Sequence, residues 1–180
     1  MGSLRSLRRQ QSEPVIGVPS SDMELLRAVQ YNQDKQARAL LERGANPNAL
    51  VKNITVLGIA IFYKRINLVR LLVHYGANVG FINDSGRTLL HVAAAFAGLK
   101  AACEISRFLL DHSINVNAVD IWGCTPLMYA IIRRNVELTK LLLKRGADAT
   151  LRNSYGERAL DLLRRGKGSA ALRKLLEPVS

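Results

Sequence analysis

Several features that mark common protein classes are scarce or missing in this 180-residue sequence. No apolar run approaches the roughly 18 to 20 residues that span a bilayer, and the first residues lack the apolar stretch of a secretory signal. The two cysteines, Cys103 and Cys124, have a spacing that suits neither a zinc site nor a disulfide framework. We therefore expect an intracellular protein, in the cytoplasm or nucleus, with both thiols free.

Motifs for catalysis are also missing. The sequence contains no Gly-rich phosphate loop, no paired acidic site and no cluster of metal ligands. A nucleophile–base pair of Cys103 and His91 is less favoured than a structural role, in which His91 bonds Thr88 three residues before it. We expect no enzymatic activity and no cofactor.

The chain has an excess of positive charge, with a formal net charge of +12 at pH 7. The C-terminal third is the most basic part, since residues 121–180 carry 12 Lys and Arg against 5 Asp and Glu. An acidic partner is the simplest interpretation, and the alternative is a solvated end kept soluble by charge. Nucleic acid is less favoured, because no groove-reading or base-stacking motif accompanies the charge.

Two phrases recur along the chain. The first is a Thr followed by a Leu two residues later and an Ala three residues after that; it occurs as Thr55/Leu57/Ala60, Thr88/Leu90/Ala93 and Thr125/Leu127/Ala130. The second is a leucine-rich stretch closed by Gly-Ala, at Gly44-Ala45, Gly76-Ala77 and Gly146-Ala147. A further copy, the third along the chain, has Ser113 in place of the glycine. Internal periodicity of this kind indicates a repeat protein.

Each phrase has a local physical meaning. A Thr at the start of a helix caps a free backbone N–H, and Pro126 suits the first helical position. The small alanines allow close helix packing, and the leucines fill the space beneath. The glycines adopt the left-handed conformation that ends the second helix, so Ser113 is predicted to be strained by roughly 1 kcal/mol at its position.

These phrases resemble the ankyrin repeat family. The closest copies are Gly86-Arg87-Thr88-Leu89-Leu90-His91-Val92-Ala93-Ala94 and Gly123-Cys124-Thr125-Pro126-Leu127-Met128-Tyr129-Ala130. The resemblance implies an all-α solenoid of stacked helix-turn-helix units with hairpin turns along one edge. It also implies a surface that binds other proteins, as an adaptor or inhibitor with a rigid concave face.

The repeat frame predicts the domain organisation. Residues 1–20 are expected to be a disordered tail and residues 21–180 the ankyrin repeat domain, with repeats near 22–52, 53–84, 85–121 and 122–154 and a cap at 155–178. Asn53 stands where a turn glycine is expected, which predicts an irregular first hairpin. About four extra residues between 97 and 103 predict a longer helix. Ankyrin proteins that recruit ubiquitin ligases append a further helical box, which we do not expect here because the residues after Tyr155 resemble the cap.

Candidate binding residues are those that the frame leaves outside the core. At the hairpin tips they are Arg87, Ile121, Trp122 and Tyr155, of which Trp122 is the residue type most enriched in interface hot spots. On the inner face, one equivalent position carries Tyr31, Tyr63, Phe96 and Arg133, an aromatic row that ends in a cation. The alternatives are that Trp122 folds back on its own hairpin or on Tyr155, and that the rings only close the space between paired helices.

The tail carries two short modification signals. Met1-Gly2-Ser3-Leu4-Arg5-Ser6 fits N-myristoylation at Gly2, with nearby arginines available for an anionic membrane. Ser12 follows an Arg-rich stretch and precedes Pro14, a pattern typical of a basophilic kinase site and of a phosphoserine-binding adaptor. A lipid-tethered membrane scaffold is therefore the second hypothesis for the function, and nucleic-acid association is the third. An unmodified leader is the alternative for both signals.

Overall fold

A computed structural model describes residues 20–51, 53–96, 98–164 and 170–177. Gly2, Ser12 and nearly all of the predicted tail lie outside the described residues, so these assignments stay predictions. Residue 20 already belongs to the first helix, one position before the predicted domain boundary.

The described residues form helices that come in pairs along the chain, which confirms the predicted all-α solenoid. The pairs are α1 (Ser20–Gln30) and α2 (Asp34–Glu42), α3 (Val56–Phe62) and α4 (Ile66–His74), α5 (Leu89–Phe96) and α6 (Leu99–Leu110), α7 (Pro126–Ile132) and α8 (Val136–Lys144), and α9 (Ala159–Arg164) and α10 (Ala170–Leu176). Two short strands, β1 (Leu50–Val51) and β2 (Ile54–Thr55), form an antiparallel hairpin.

The helices stack in two layers. The first helices of successive pairs pack on one another from α1 to α9, and we call them the inner layer; the second helices form the outer layer. Leu57, Leu90 and Leu127 occupy matching buried positions, each at most 1% exposed. The alanines of the first phrase are fully buried beside them. Each pair therefore buries its apolar face on its neighbours, as the repeat frame predicts.

Helix ends follow the predicted chemistry. Thr55 and Thr125 accept hydrogen bonds from the backbone N–H groups of Gly58 and Met128, at 3.0 and 3.3 Å. The glycines that end α2, α4 and α8 have φ of 90, 88 and 86°. Ser113, just after α6, has φ of 59°, which confirms its left-handed conformation. The inserted residues lengthen α6 to 12 residues, whereas α2, α4 and α8 have 9 each.

Three later hairpin turns share one construction. A single side-chain oxygen accepts N–H bonds from the residues two and four positions ahead, and it belongs to Asn83, Asp120 and Asn153. Backbone bonds join these hairpins: Ile121 N–H donates to the Ser85 carbonyl at 3.0 Å, and Ser154 N–H donates to the Trp122 carbonyl at 2.8 Å. The stacked tips therefore form one continuous edge.

The first hairpin departs from the construction of the later ones, as the prediction of an irregular hairpin expects. Leu50 pairs with Thr55, whereas the equivalent bridge in the next hairpin joins Ile82 and Thr88, so the first hairpin is one residue shorter. Asn53 in this hairpin has φ of 60°, a left-handed conformation that Asn tolerates.

None of the described helices is long and apolar enough to cross a membrane.

Candidate functional site

An open apolar groove lies on the inner layer between the second and third repeats. It has a volume of about 640 Å³ and is bounded by the first hairpin, α3, the second hairpin and α5. Its large exposed side chains are Ile54, Phe62, Tyr63 and Phe96, which keep 47, 49, 38 and 42% of their surface in contact with solvent. We call this feature the inner groove.

Aromatic rings organise the floor of the inner groove. Phe62 lies 5.3 Å from Tyr63 in an edge-to-face arrangement and 5.6 Å from Phe96, measured between ring centroids. Phe62 was missed by the sequence analysis, which assigned one exposed position to the end of each inner helix. The structure exposes two consecutive positions there, as Ile132 and Arg133 at the end of α7 also show.

The predicted aromatic row is brought together only in part. Tyr63 and Phe96 line the inner groove, but Tyr31 does not, and the groove-lining residue from α1 is Gln30, whose amide nitrogen lies 3.4 Å from the Tyr63 hydroxyl. Arg133 lines a separate depression of about 370 Å³ with Ile132 and Gly98. Tyr63, Phe96 and Arg133 therefore line two separate depressions, and Tyr31 lines neither of them.

Arg87 links the inner groove to the third hairpin. It lines the groove, its Nε lies 3.5 Å from Asp120 Oδ2, and its Nη2 donates to the Tyr129 hydroxyl at 2.9 Å. The Tyr129 hydroxyl in turn donates to Asp120 Oδ2 at 2.7 Å. Burial and the bond to the Asp120 carboxylate raise the pKa of Tyr129 to about 12. We call Arg87, Asp120, Trp122 and Tyr129 the hairpin cluster.

Trp122 contacts Arg87 of the preceding hairpin, a contact that the sequence analysis did not consider. The Arg87 guanidinium lies 4.8 Å above its ring, and a cation over an indole face is an attractive contact. Trp122 remains 38% exposed, and the other predicted tip residues, Ile121 and Tyr155, are 61 and 74% exposed. All three are therefore available to a partner, while Trp122 is held in place from one side.

His91 has the predicted structural role. Its Nδ1 accepts the Thr88 N–H at 3.1 Å, and its Nε2 lies 3.0 Å from the Cys124 carbonyl, to which it donates in that tautomer. Burial lowers the pKa of His91. Cys103 instead lies beside Asn135, 3.8 Å from Sγ to Oδ1. Both cysteines are free, and burial is the largest cause that raises the pKa of each thiol.

The described ranges contain no group of three or more His, Cys, Asp or Glu residues that could hold a metal ion.

Stacked helix pairs with capped inner helices and joined hairpins define a repeat solenoid. Comparison with known families identifies it further, because the model for "Ankyrin repeats (3 copies)" matches residues 25–120 and 57–153. The chain belongs to the ankyrin repeat family, and it is a protein–protein interaction module.

Relatives in the curated proteins carry the same repeats. An ankyrin repeat protein of Acanthamoeba polyphaga mimivirus is 27% identical over 138 residues, which cover 76% of this chain and 18% of the relative. One of Fowlpox virus is 30% identical over 133 residues, covering 73% and 32%. Ankyrin repeat and SOCS box protein 6 of Homo sapiens is 32% identical over 146 residues, covering 74% and 33%. The chain thus spans at most a third of the length of these relatives.

Proposed function

We propose that this chain is a non-enzymatic adaptor or inhibitor that binds a segment of another protein in the inner groove and contacts it with the hairpin tips. The proposal rests on one observation: Ile54, Phe62, Tyr63 and Phe96 are exposed together in one open groove. Large apolar side chains clustered on a soluble surface mark an interaction site, and buried aromatic anchors supply most of the binding energy in protein interfaces.

The surface is preorganised, which supports binding rather than chance exposure. Backbone bonds tie the second, third and fourth hairpins together, and the hairpin cluster holds Arg87 and Trp122. A partner therefore has less conformational entropy to remove from this surface than from free loops.

Site-specific photo-crosslinking in the native cell tests the proposal. A benzophenone amino acid replaces Phe62 in one protein and Lys144, exposed on the outer helix α8, in a matched control. We expect one partner to be captured at position 62 and not at position 144. That partner, made recombinantly, is expected to bind Phe62→Ala/Phe96→Ala at least about tenfold more weakly than the unaltered chain. Equal capture at both positions, or unchanged affinity, overturns the proposal.

The membrane-tethered alternative rests on the Gly2 signal and the arginines near it. The intact mass of protein from its native cell tests it, since an unmodified Gly2 removes the lipid. The same spectrum tests phosphorylation of Ser12, and imaging of the tagged chain tests the proposed cytoplasmic and nuclear location. Nucleic-acid association, the third proposal, predicts salt-sensitive retention on RNA.

A further inference from the structure

We infer that the inner groove takes an acidic segment of a partner protein, which buries a large apolar side chain among Phe62, Tyr63 and Phe96 and places carboxylates over Lys64 and Arg133. The inference rests on the proposed function, because both use the same groove. The charge of the partner segment is the added statement, because the apolar floor of the groove does not by itself favour an acidic or a basic segment.

Acidic residues are absent from the inner helices nearest the groove. The inner helices α3, α5 and α7 with their flanking residues are 54–65, 87–98 and 124–135, and these stretches contain no Asp or Glu. They contain five cations: Lys64, Arg65, Arg87, Arg133 and Arg134. The first two stretches line the groove, and the third contributes Arg133 beyond Phe96.

Three cations of the outer layer have acidic partners in the same layer. Arg145 lies 2.9 Å from Asp111, Lys140 lies 2.9 Å from Glu137, and Arg70 lies 3.6 Å from Glu104. These pairs offset charge on the outer surface. No acidic residue on α3, α5 or α7 offsets Lys64 and Arg133, so an approaching segment meets a positive potential beside Phe96.

Two cations converge on one end of the inner groove. Lys64 directly follows Tyr63, and its Nζ lies 3.5 Å from the position that a Cβ on Gly98 would occupy. Arg133 approaches Gly98 from the next repeat, since both line the same depression. Gly98 comes two residues after Phe96, so Lys64 and Arg133 flank the Phe96 end of the groove.

The opposite end of the groove carries less net charge. Arg87 lines it, but Asp120 lies 3.5 Å from the Arg87 guanidinium and offsets its charge. An acidic segment therefore gains most from carboxylates placed beyond Phe96. Apolar burial supplies affinity, while the cations select acidic over basic segments and speed their association.

Selection from defined phage-displayed peptide libraries tests the inference. All peptides have the same length. The first library has large apolar residues at the centre of each peptide and Asp, Glu, Ser and Gly in the flanks. The second library replaces the acidic residues by Lys and Arg. The third library keeps the acidic flanks but has only small residues at the centre. We expect enrichment on the full chain from the first library only.

Selected peptides without Trp are then synthesised, so that Trp122, the chain's single Trp, reports binding by its fluorescence. Lys64→Glu/Arg133→Glu is expected to weaken binding at least about tenfold. Lys35→Glu/Lys144→Glu changes the net charge equally but alters exposed residues of the outer helices, and it is expected to weaken binding less than about threefold. Lys64→Gln/Arg133→Gln gives an intermediate loss.

Three outcomes overturn the inference: enrichment of basic or small-centred peptides, no enrichment of the acidic library, or equal losses in the two charge-reversal variants. Chemical denaturation of every variant establishes that it is folded. If basic-flanked peptides bind and lose affinity in Phe62→Ala/Phe96→Ala, the acidic inference fails while the groove remains a binding site. Failure of the proposed function is distinguished by the crosslinking experiment, in which it appears as equal partner capture at positions 62 and 144.

Discussion

Ser113 and Gly146 end outer helices in the same left-handed conformation but differ by a side chain. We expect Ser113→Gly to stabilise the chain by about 0.5–1 kcal/mol, because glycine removes the clash of a Cβ at positive φ. Part of this gain is lost because glycine has more backbone entropy in the unfolded chain. Thermal unfolding measures the effect as a higher Tm. The matched control is Gly146→Ser, where a Cβ would meet nothing within 4 Å and only backbone strain is added. An unchanged or lower Tm for Ser113→Gly contradicts the prediction.

The buried His91 makes stability depend on pH. Because burial lowers its pKa below 6.5, the unfolded chain takes up this proton at a higher pH than the folded chain does. The contribution of His91 is fully present above pH 6.5 and is lost as pH falls through 6.5 towards the folded value. Urea denaturation from about pH 7 to about pH 5 is therefore expected to show a falling free energy of unfolding.

His91→Met provides the control for this pH dependence. Met128 occupies the same position in the next repeat, three residues after its Thr, so the substitution has a precedent in the chain. The variant is expected to lose the part of the slope that His91 causes, whatever its absolute stability. Identical slopes in the two proteins would show that other groups cause the pH dependence.

At the scale of single elements, the third hairpin carries a buried charge where its neighbours carry amides. Asn83 and Asn153 make the same turn bonds as Asp120, so Asp120→Asn keeps the turn while it removes the charge opposite Arg87. We expect a loss of about 1–3 kcal/mol in chemical denaturation, because Arg87 and the Tyr129 hydroxyl lose a carboxylate partner.

The exposed Asp84, on the second hairpin, is the control for this change. Asp84→Asn is expected to change the free energy of unfolding by less than about 0.5 kcal/mol. A shift of Trp122 emission in Asp120→Asn but not in Asp84→Asn would locate the effect in the hairpin cluster. Equal stability changes in both variants argue against the ion pair.

A ladder of side-chain bonds joins the segments that follow the outer helices. Asn48 donates to the Gly76 carbonyl and accepts from Asn78 N–H, and Asn117 bonds Gly146 and Asp148 in the same way. Gly80 occupies the equivalent position between the second and third repeats and has no side chain for these bonds. It does not require positive φ, and the nearest atom to an added Cβ is Asn78 Oδ1 at 3.3 Å.

We therefore expect Gly80→Asn to stabilise the chain by about 0.5–1.5 kcal/mol, since it supplies the missing inter-repeat hydrogen bonds. The free energy of unfolding in urea measures the gain. Asn117→Gly is the reverse change at an occupied position and is expected to cost a similar amount. Destabilisation by both substitutions would mean that the ladder cannot form at this junction.

At the scale of the whole molecule, each repeat depends on its neighbours for a core. Leu109, fully buried in α6, lies in a layer that packs on α4 and α8. Leu109→Ala is expected to cost about 2–5 kcal/mol. Far-UV circular dichroism and Trp122 fluorescence measure the loss, and both transitions are expected to move together because the stack unfolds as a unit.

Leu50→Ala is the control, because Leu50 is 48% exposed on the first hairpin. Its expected cost is below about 0.5 kcal/mol. A loss below about 0.5 kcal/mol for Leu109→Ala would contradict its buried position. A Trp122 fluorescence transition that does not shift would contradict the coupling between repeats.

The binding surface was predictable only in part. Tyr63, Phe96 and the exposed tip residues follow from the repeat frame, because each occupies a repeating position. Phe62 did not, since the exposure of one more helical position depends on how α3 and α5 pack. The Arg87–Trp122 contact joins residues 35 positions apart, and nothing in either local sequence predicts it.

The amino-acid sequence by itself determined the helix pairs, their caps and the layer of leucines and alanines, because those interactions lie within one repeat or recur identically in each. It also determined the longer α6 and the strained Ser113. Only the tertiary structure decided where the groove lies, which cations border it and what holds Trp122. Those neighbours come from different repeats, and their separation depends on hairpin length and stacking rather than on any local pattern.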